Sequence, residues 1–179
     1  IALAANLPPI VTLTPAEDVL VEGSETAILT VVAGTGYAPT GTAATGTITD
    51  NDTATIGYAA ATSNIGEGGG SNSLDLVLTL NATGTGTAEL ARAVTVGLTS
   101  TGGSATVATD YVLPTPLTFA AGSVSGAQQQ AVVAITNDRS VEGTEVANLG
   151  LSIGTDGTDG QVTIAPAAAT HAATITAND

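Results

Sequence analysis

The chain of 179 residues contains no cysteine, methionine or tryptophan, one histidine, one phenylalanine and only two basic side chains, Arg92 and Arg139. Without cysteine there are no disulfide frameworks, thiolate metal sites or cysteine nucleophiles, and the redox compartment goes unread. Its 16 acidic residues give a formal charge of −14. There is no basic face to neutralise phosphates, so nucleic acid is excluded as a partner. No apolar run approaches the roughly 18 uncharged residues of a membrane helix. The chain is therefore expected to be soluble, with no membrane span and no secretory leader at Ile1. Aromatic residues make up 2% of it, so any core is built from small aliphatics and is thin.

What is present is mostly Thr, Val, Ala and Gly, with few of the straight-chain residues that favour helices. That composition predicts an all-β chain. An internal repeat organises it. Val21-Glu22-Gly23-Ser24-Glu25 returns as Val141-Glu142-Gly143-Thr144-Glu145, and Thr47-Ile48-Thr49-Asp50-Asn51-Asp52 returns as Thr174-Ile175-Thr176-Ala177-Asn178-Asp179. The order is kept and the spacing nearly so. Residues 1–52 are thus expected to be the C-terminal half of one unit and 53–179 one complete unit.

In the complete unit, alternation between turn clusters predicts seven strands. They are Thr53 to Tyr58 with a continuation at Ser63 to Ile65, Ser73 to Leu80, Ala93 to Ser100, Pro116 to Phe119, Gln129 to Thr136, Val146 to Ile153 and His171 to Ala177. Such a set fits an immunoglobulin-like β-sandwich. In the half unit, strands are expected at Ile10 to Thr14, Thr26 to Val32 and Ala43 to Thr49. An up-and-down path gathers Glu67, Asp110, Asp138, Glu142, Glu145 and Asp179 at one pole. Carboxylates crowded in one small volume repel one another, which favours a hard cation among them. Calcium, with its 6 to 8 oxygens in flexible geometry, suits that pole better than magnesium.

The same residues carry a resemblance. Asp110-Tyr111, Leu117-Thr118-Phe119-Ala120-Ala121-Gly122, Ile135-Thr136-Asn137-Asp138 leading into Val141 to Glu145, and the closing Ile175 to Asp179 resemble the Calx-β domain family. The likeness spans 53–179 and, as a C-terminal half, 1–52. It implies a β-sandwich holding Ca2+ through Glu67, Asp110, Asp138, Glu142, Glu145 and Asp179. Asn137, Arg139 and Ala177 stand where calcium-rich members carry further acids, which implies fewer or weaker ions. The equivalent acids of the half unit are Glu17, Asp18, Glu22, Glu25, Asp50 and Asp52, and an ion among them would stiffen the joint at Thr53.

Catalysis is not expected. His171 lies in a strand amid Ala and Thr, which supports neither a triad nor a zinc site. Glu142 and Glu145 as a glycosidase pair would need aromatic platforms, and Tyr37, Tyr58, Tyr111 and Phe119 are too few. Tyr111 and Phe119 are expected in the packing. Thr155-Asp156-Gly157-Thr158-Asp159-Gly160 is expected to be a turn. The expected function is structural: a calcium-stabilised repeat of an extracellular or cell-surface fibre, stalk or adhesin. Its partners would be neighbouring repeats or further copies of itself, with a cell-surface or matrix ligand as a further partner. Half a sandwich cannot bury both its sheets, so residues 1–52 need a partner, which head-to-tail docking or strand addition from another copy would supply. The alternative is a calcium-sensing module whose inter-unit angle follows ion occupancy.

Overall fold

A computed structural model describes residues 10–36, 38–41 and 43–179. The apolar start at Ile1 to Pro9 and Tyr37 lie outside the described residues. In chain order the strands are β1 (Leu20–Val21), β2 (Glu25–Leu29), β3 (Ala44–Ile48), β4 (Thr53–Tyr58), β5 (Thr62–Gly66), β6 (Ser71–Asn81), β7 (Glu89–Leu90), β8 (Val94–Gly103), β9 (Tyr111–Val112), β10 (Leu117–Phe119), β11 (Gln128–Ile135), β12 (Glu145–Asp156), β13 (Val162–Ile164) and β14 (Thr170–Thr176). Two single-turn 3-10 helices, Glu67–Gly69 and Pro166–Ala168, interrupt them.

The complete unit is a sandwich of two five-stranded sheets, ordered β10-β8-β12-β14-β5 and β13-β4-β6-β11-β9. The predicted period of two decides which side chains fill it. In β6, Leu74, Leu76 and Leu78 point inward while Ser73, Asp75 and Thr79 face out. They meet Val94, Val96 and Leu98 of β8, Leu149 of β12 and Ala173 and Ile175 of β14 across the core. Tyr111 and Phe119 are fully buried, as the sequence indicates, and the Tyr111 hydroxyl donates to Ser100 Oγ at 2.9 Å. The first strand region splits between the sheets: β4 pairs with β6 and β13, and β5 crosses over to pair in parallel with β14. Gly103 closes one tight approach, since a Cβ there would lie 2.0 Å from the Val146 carbonyl oxygen and its φ is +111°.

In the half unit, β2 and β3 form a two-stranded antiparallel sheet. Its register reproduces that of β12 and β14: Glu25 lies opposite Ile48 and Thr26 opposite Thr47, as Glu145 lies opposite Ile175 and Val146 opposite Thr174. The strand expected at Ile10 to Thr14 does not form. Its counterpart in the complete unit, β11, is held between β6 and β9, and the described residues of 10–52 supply no such neighbours. Alternation alone does not make a strand without a ladder to join.

The two units meet through β1, a strand absent from the sequence-based expectation. Leu20 and Val21 pair in parallel with Glu89 and Leu90 of β7. The Glu89 amide donates to the Val19 carbonyl at 3.3 Å and the Ala91 amide to the Val21 carbonyl at 3.0 Å. Val21 is fully buried and belongs to the core of the complete unit.

Candidate metal centre

The acidic pole is assembled by four stretches of chain that the sandwich brings to one end. After β5, Gly66 leads into the 3-10 turn that carries Glu67 inward, where it is only 5% exposed. Gly68 keeps that turn close to its neighbours, because a Cβ there would lie 2.9 Å from Asn178 Nδ2 and 3.8 Å from Asn137 Nδ2. Asp110 closes the turn before β9 and accepts from the Thr106 amide through Oδ2, while its carbonyl accepts from the Thr136 amide. The loop between β11 and β12 supplies Asp138 and Glu142, β12 opens on Glu145, and Asp179 follows β14. Glu67, Asp110 and Glu145 thus sit where strands end or begin, and Asp138, Glu142 and Asp179 lie in chain three residues beyond a strand end.

Two triads result. Carboxylate oxygens of Glu67, Asp138 and Asp179 lie within 4.8 Å of one another, and so do those of Asp110, Glu142 and Glu145. All six residues named from the sequence for this pole are thereby brought together. Glu67, Asp110, Glu142 and Glu145 also line one recess of about 10 Å³, the space of a single water-sized sphere. Glu67 Oε1 accepts from the Asp138 amide at 3.2 Å, while Glu67 Oε2 is buried with no hydrogen-bond partner. A buried, bare carboxylate oxygen costs several kcal/mol in general, roughly 1–3 for a neutral acceptor and more for a charged one. Desolvation, then the charges of Asp138, Asp110, Glu67 and Asp179, hold Glu142 above the ordinary carboxylate value. Desolvation, then Asp110 and Glu142, do the same to Glu145, which shares a hydrogen bond with Asp110. The donor set is all oxygen and all acidic, and a hard divalent cation would satisfy both the orphaned oxygen and the repulsion.

The acids of the half unit are placed differently. Asp50 Oδ2 accepts from the Glu22 amide at 2.8 Å and Asp50 Oδ1 from the Asp52 amide at 3.0 Å. Asp18 Oδ1 accepts from the Leu20 amide at 2.9 Å. Asp52 is buried and takes the Thr83 amide at 2.8 Å, and Glu17 Oε1 receives both Asn51 Nδ2 and Thr83 Oγ1. Among the described residues, Asp18, Glu22, Glu25, Asp50 and Asp52 form no triad as tight as those of the other pole. Desolvation, then Glu25, Asp18 and Asp50, raise the Glu22 carboxyl, and Arg92 opposes them. Protein donors thus occupy Glu17, Asp18, Asp50 and Asp52, while Glu22 and Glu25 line an acidic recess beside the joint.

Two further sequence features resolve simply. Thr155 and Asp156 end β12 and the turn expected over Thr155 to Gly160 is confined to Gly157 to Gly160, where Asp156 accepts from the Thr158 amide, the Thr158 hydroxyl and the Gly160 amide. His171 is 3% exposed, and its Nδ1 lies 2.7 Å from the Ala60 carbonyl oxygen. A carbonyl only accepts, so Nδ1 carries the proton and Nε2 accepts from the Ser63 hydroxyl at 2.7 Å. Asn72 Nδ2 donates to the same Ser63 oxygen at 2.6 Å, which ties β14, β5 and β6 together. The sequence offered no signal for this network, because its members are scattered along the chain.

These observations define an all-β sandwich with an acidic pole, and the fold is Calx-β-like. A solved apo-form Calx CBD1 domain matches with a TM-score of 0.53 at 16% identity, over 71% of this chain and 99% of that one. The CBD12 structure from CALX1.2 gives 0.51 at 18% over 70% of this chain, and the calcium binding domain CBD12 of CALX1.1 gives 0.50 at 17% over 69%. The match spans 44% of each of these two longer chains. No family model matches the chain, and neither does any curated protein sequence. Among the described residues, no helix is long and apolar enough to cross a membrane.

Proposed function

We propose that this protein is a calcium-binding β-sandwich module that works as a structural repeat, spacing and stiffening an extracellular or cell-surface array. The observation that carries the calcium reading is Glu67, buried at the convergence of two carboxylate triads with one oxygen unpartnered. Glu67, Asp138 and Asp179 on one side and Asp110, Glu142 and Glu145 on the other would hold the ion. Bound there, it would cancel the mutual repulsion of the pole and cross-link the turn after β5, the β11–β12 loop and the chain after β14. The likeness in fold to calcium-binding Calx domains supports the same reading.

The joint supports the spacer reading, and a calcium sensor whose inter-unit angle follows ion occupancy is the alternative. An angle that follows ion occupancy needs a joint that the ion closes, whereas here Val21 and the β1–β7 ladder close it with protein atoms. The scarcity of Lys and Arg and the lack of Cys and Met, which leave few trypsin sites and little to oxidise, suit an exposed location.

The test is thermal unfolding in chelator and across a calcium titration, for the natural chain and for Glu67→Gln. Calcium should raise the melting temperature of the natural chain, by the equivalent of about 2.7 kcal/mol at a hundredfold excess over Kd. Glu67→Gln should melt higher than the natural chain in chelator and lose most of the response to calcium. A brace should bind at about 0.1 to 1 mM and a sensor near micromolar. A natural chain whose melt is the same in chelator and in millimolar calcium would sink the calcium reading.

A further inference from the structure

The pole of the complete unit carries an unused copy of the element that closes the joint. Val21, fully buried against β7, corresponds in the repeat to Val141, which is 87% exposed. The local geometry is also repeated: Asp18 Oδ1 accepts from the Leu20 amide, two residues on, and Asp138 Oδ1 accepts from the Ser140 amide in the same way at 2.7 Å. The Val19 and Val21 carbonyls receive amides of the complete unit, whereas the Arg139 and Val141 carbonyls receive no main-chain hydrogen bond among the described residues. An exposed valine on a segment without a ladder partner thus presents one apolar plug and main-chain groups free to pair.

We infer that Ser140-Val141-Glu142 is a docking strand for a further unit of this same repeat, following Asp179 as Thr53 follows Asp52 and seated on the pole as residues 53–179 are seated on the half unit. The receiving surface is already visible at the joint. It consists of β7 with buried Leu90, of Gly84 and Gly86, where a Cβ would crowd Asp18 and Val19, and of Arg92, which shares a recess with Glu22 and Glu25. A following unit would turn that arginine toward Glu142 and Glu145. A second copy of this chain is not the occupant, because its own Val21 already fills its receiving surface. The copied joint would be weaker than the original, since Ala177 stands in place of Asp50, so that Glu142 and Asp179 lack the caps that Asp50 gives the Glu22 and Asp52 amides, and Arg139 replaces the apolar Val19. This inference rests on the reading of the chain as part of a repeat array, and because it shares Glu142 and Glu145 with the ion site its test is read in chelator as well as in calcium.

Because the chain has no cysteine, one introduced thiol reports each site alone. Val21→Cys and Val141→Cys are labelled with a maleimide, in this chain and in a chain extended by a second copy of residues 53–179 directly after Asp179, each in chelator and in calcium. In the unextended chain, Val141→Cys should react at the rate of a free thiol and Val21→Cys at least about a hundredfold slower. In the extended chain, Val141→Cys should slow by about tenfold or more in chelator as well as in calcium. Free-rate labelling of Val141→Cys in an extended chain whose Val21→Cys stays protected would overturn the inference. So would protection of Val141→Cys in the unextended chain, which would mean that another copy covers it. Protection that appears only with calcium would likewise overturn the docking strand while leaving the ion site intact. As a second readout, Val141→Asp should broaden the small-angle scattering distance distribution of the extended chain, and an unchanged distribution would overturn the proposal.

Discussion

The β2–β3 hairpin and the β12–β14 pair are one design built twice in the same register, yet only one copy has a core over it. Leu149 is fully buried, while its counterpart Leu29 is 39% exposed, and Ile28, Val31 and Val32 are exposed by 67%, 68% and 76%. Local sequence therefore decides pairing and register, and the neighbouring strands decide burial. In the complete unit β8 and β5 flank the pair and β4, β6 and β11 roof it, and nothing among the described residues of 10–52 replaces them. The half unit is tied to the complete unit at the joint, where Val21 in the β1–β7 ladder and the bonds from Thr83 to Asp52 and Glu17 hold one end of the hairpin.

The sharpest way to break this comparison is to truncate the same leucine in both copies. Leu149→Ala should cost about 2–5 kcal/mol, because it leaves a cavity among β6, β8 and β14 side chains. Leu29→Ala should change stability by no more than about 0.5 kcal/mol, as surface substitutions do. Urea unfolding of both variants checks the pair. Equal losses would mean that the exposed face of the half unit is covered in solution, by another copy or by residues outside those described.

A smaller effect is expected from the repeated valine. Val21→Ala removes two buried methyl groups and should cost roughly 1–2 kcal/mol at about 0.8 kcal/mol per buried carbon. Because Val21 anchors the half unit, the loss should show as faster proteolysis within residues 10–52 before the complete unit unfolds. Val141→Ala, at an exposed site, should be within about 0.5 kcal/mol of the natural chain. Limited proteolysis followed by mass spectrometry separates the two. A Val21→Ala chain as resistant as the natural one would move the weight of the joint onto Asp52 and Glu17 and their bonds to Thr83.

How far these differences could be read in advance depends on length scale. Long strands such as β6 and β12 announce themselves by alternation, and both were legible. β1, β7, β9 and β13 have two or three residues each, too few for a period, and exist only because a neighbour completes a ladder. Ile10 to Thr14 shows the converse, an alternating segment that stays irregular for want of partners. The acidic pole was legible because strand order alone carries turns to one end of a sandwich. The contrast between Val21 and Val141 was not, since the same Val-Glu-Gly motif stands at both places and only tertiary structure tells plug from free edge.

The smallest expected effect concerns protons, and it compares the two acidic clusters. Glu142 and Glu145 are held above the ordinary value of 4.5 by desolvation and neighbouring carboxylates, with no basic group among the causes. Glu22 is raised in the same way, but Arg92 works against the shift. A carboxyl whose folded-state pKa is raised stabilises the fold fully below its unfolded value and loses that contribution as pH rises through the folded one. In chelator, the melting temperature should therefore be higher near pH 4.5 than at neutrality. The rise on acidification should shrink in the double variant Glu142→Gln, Glu145→Gln and shrink less in Glu22→Gln. Calcium should reverse the trend, because protons compete with the ion for the same oxygens and its stabilisation fades as pH falls. Melting curves at several pH values, with and without calcium, test both signs. If the double variant and Glu22→Gln flatten the profile equally, the two poles carry the same electrostatic strain. Arg92 would then have no part in relieving the joint.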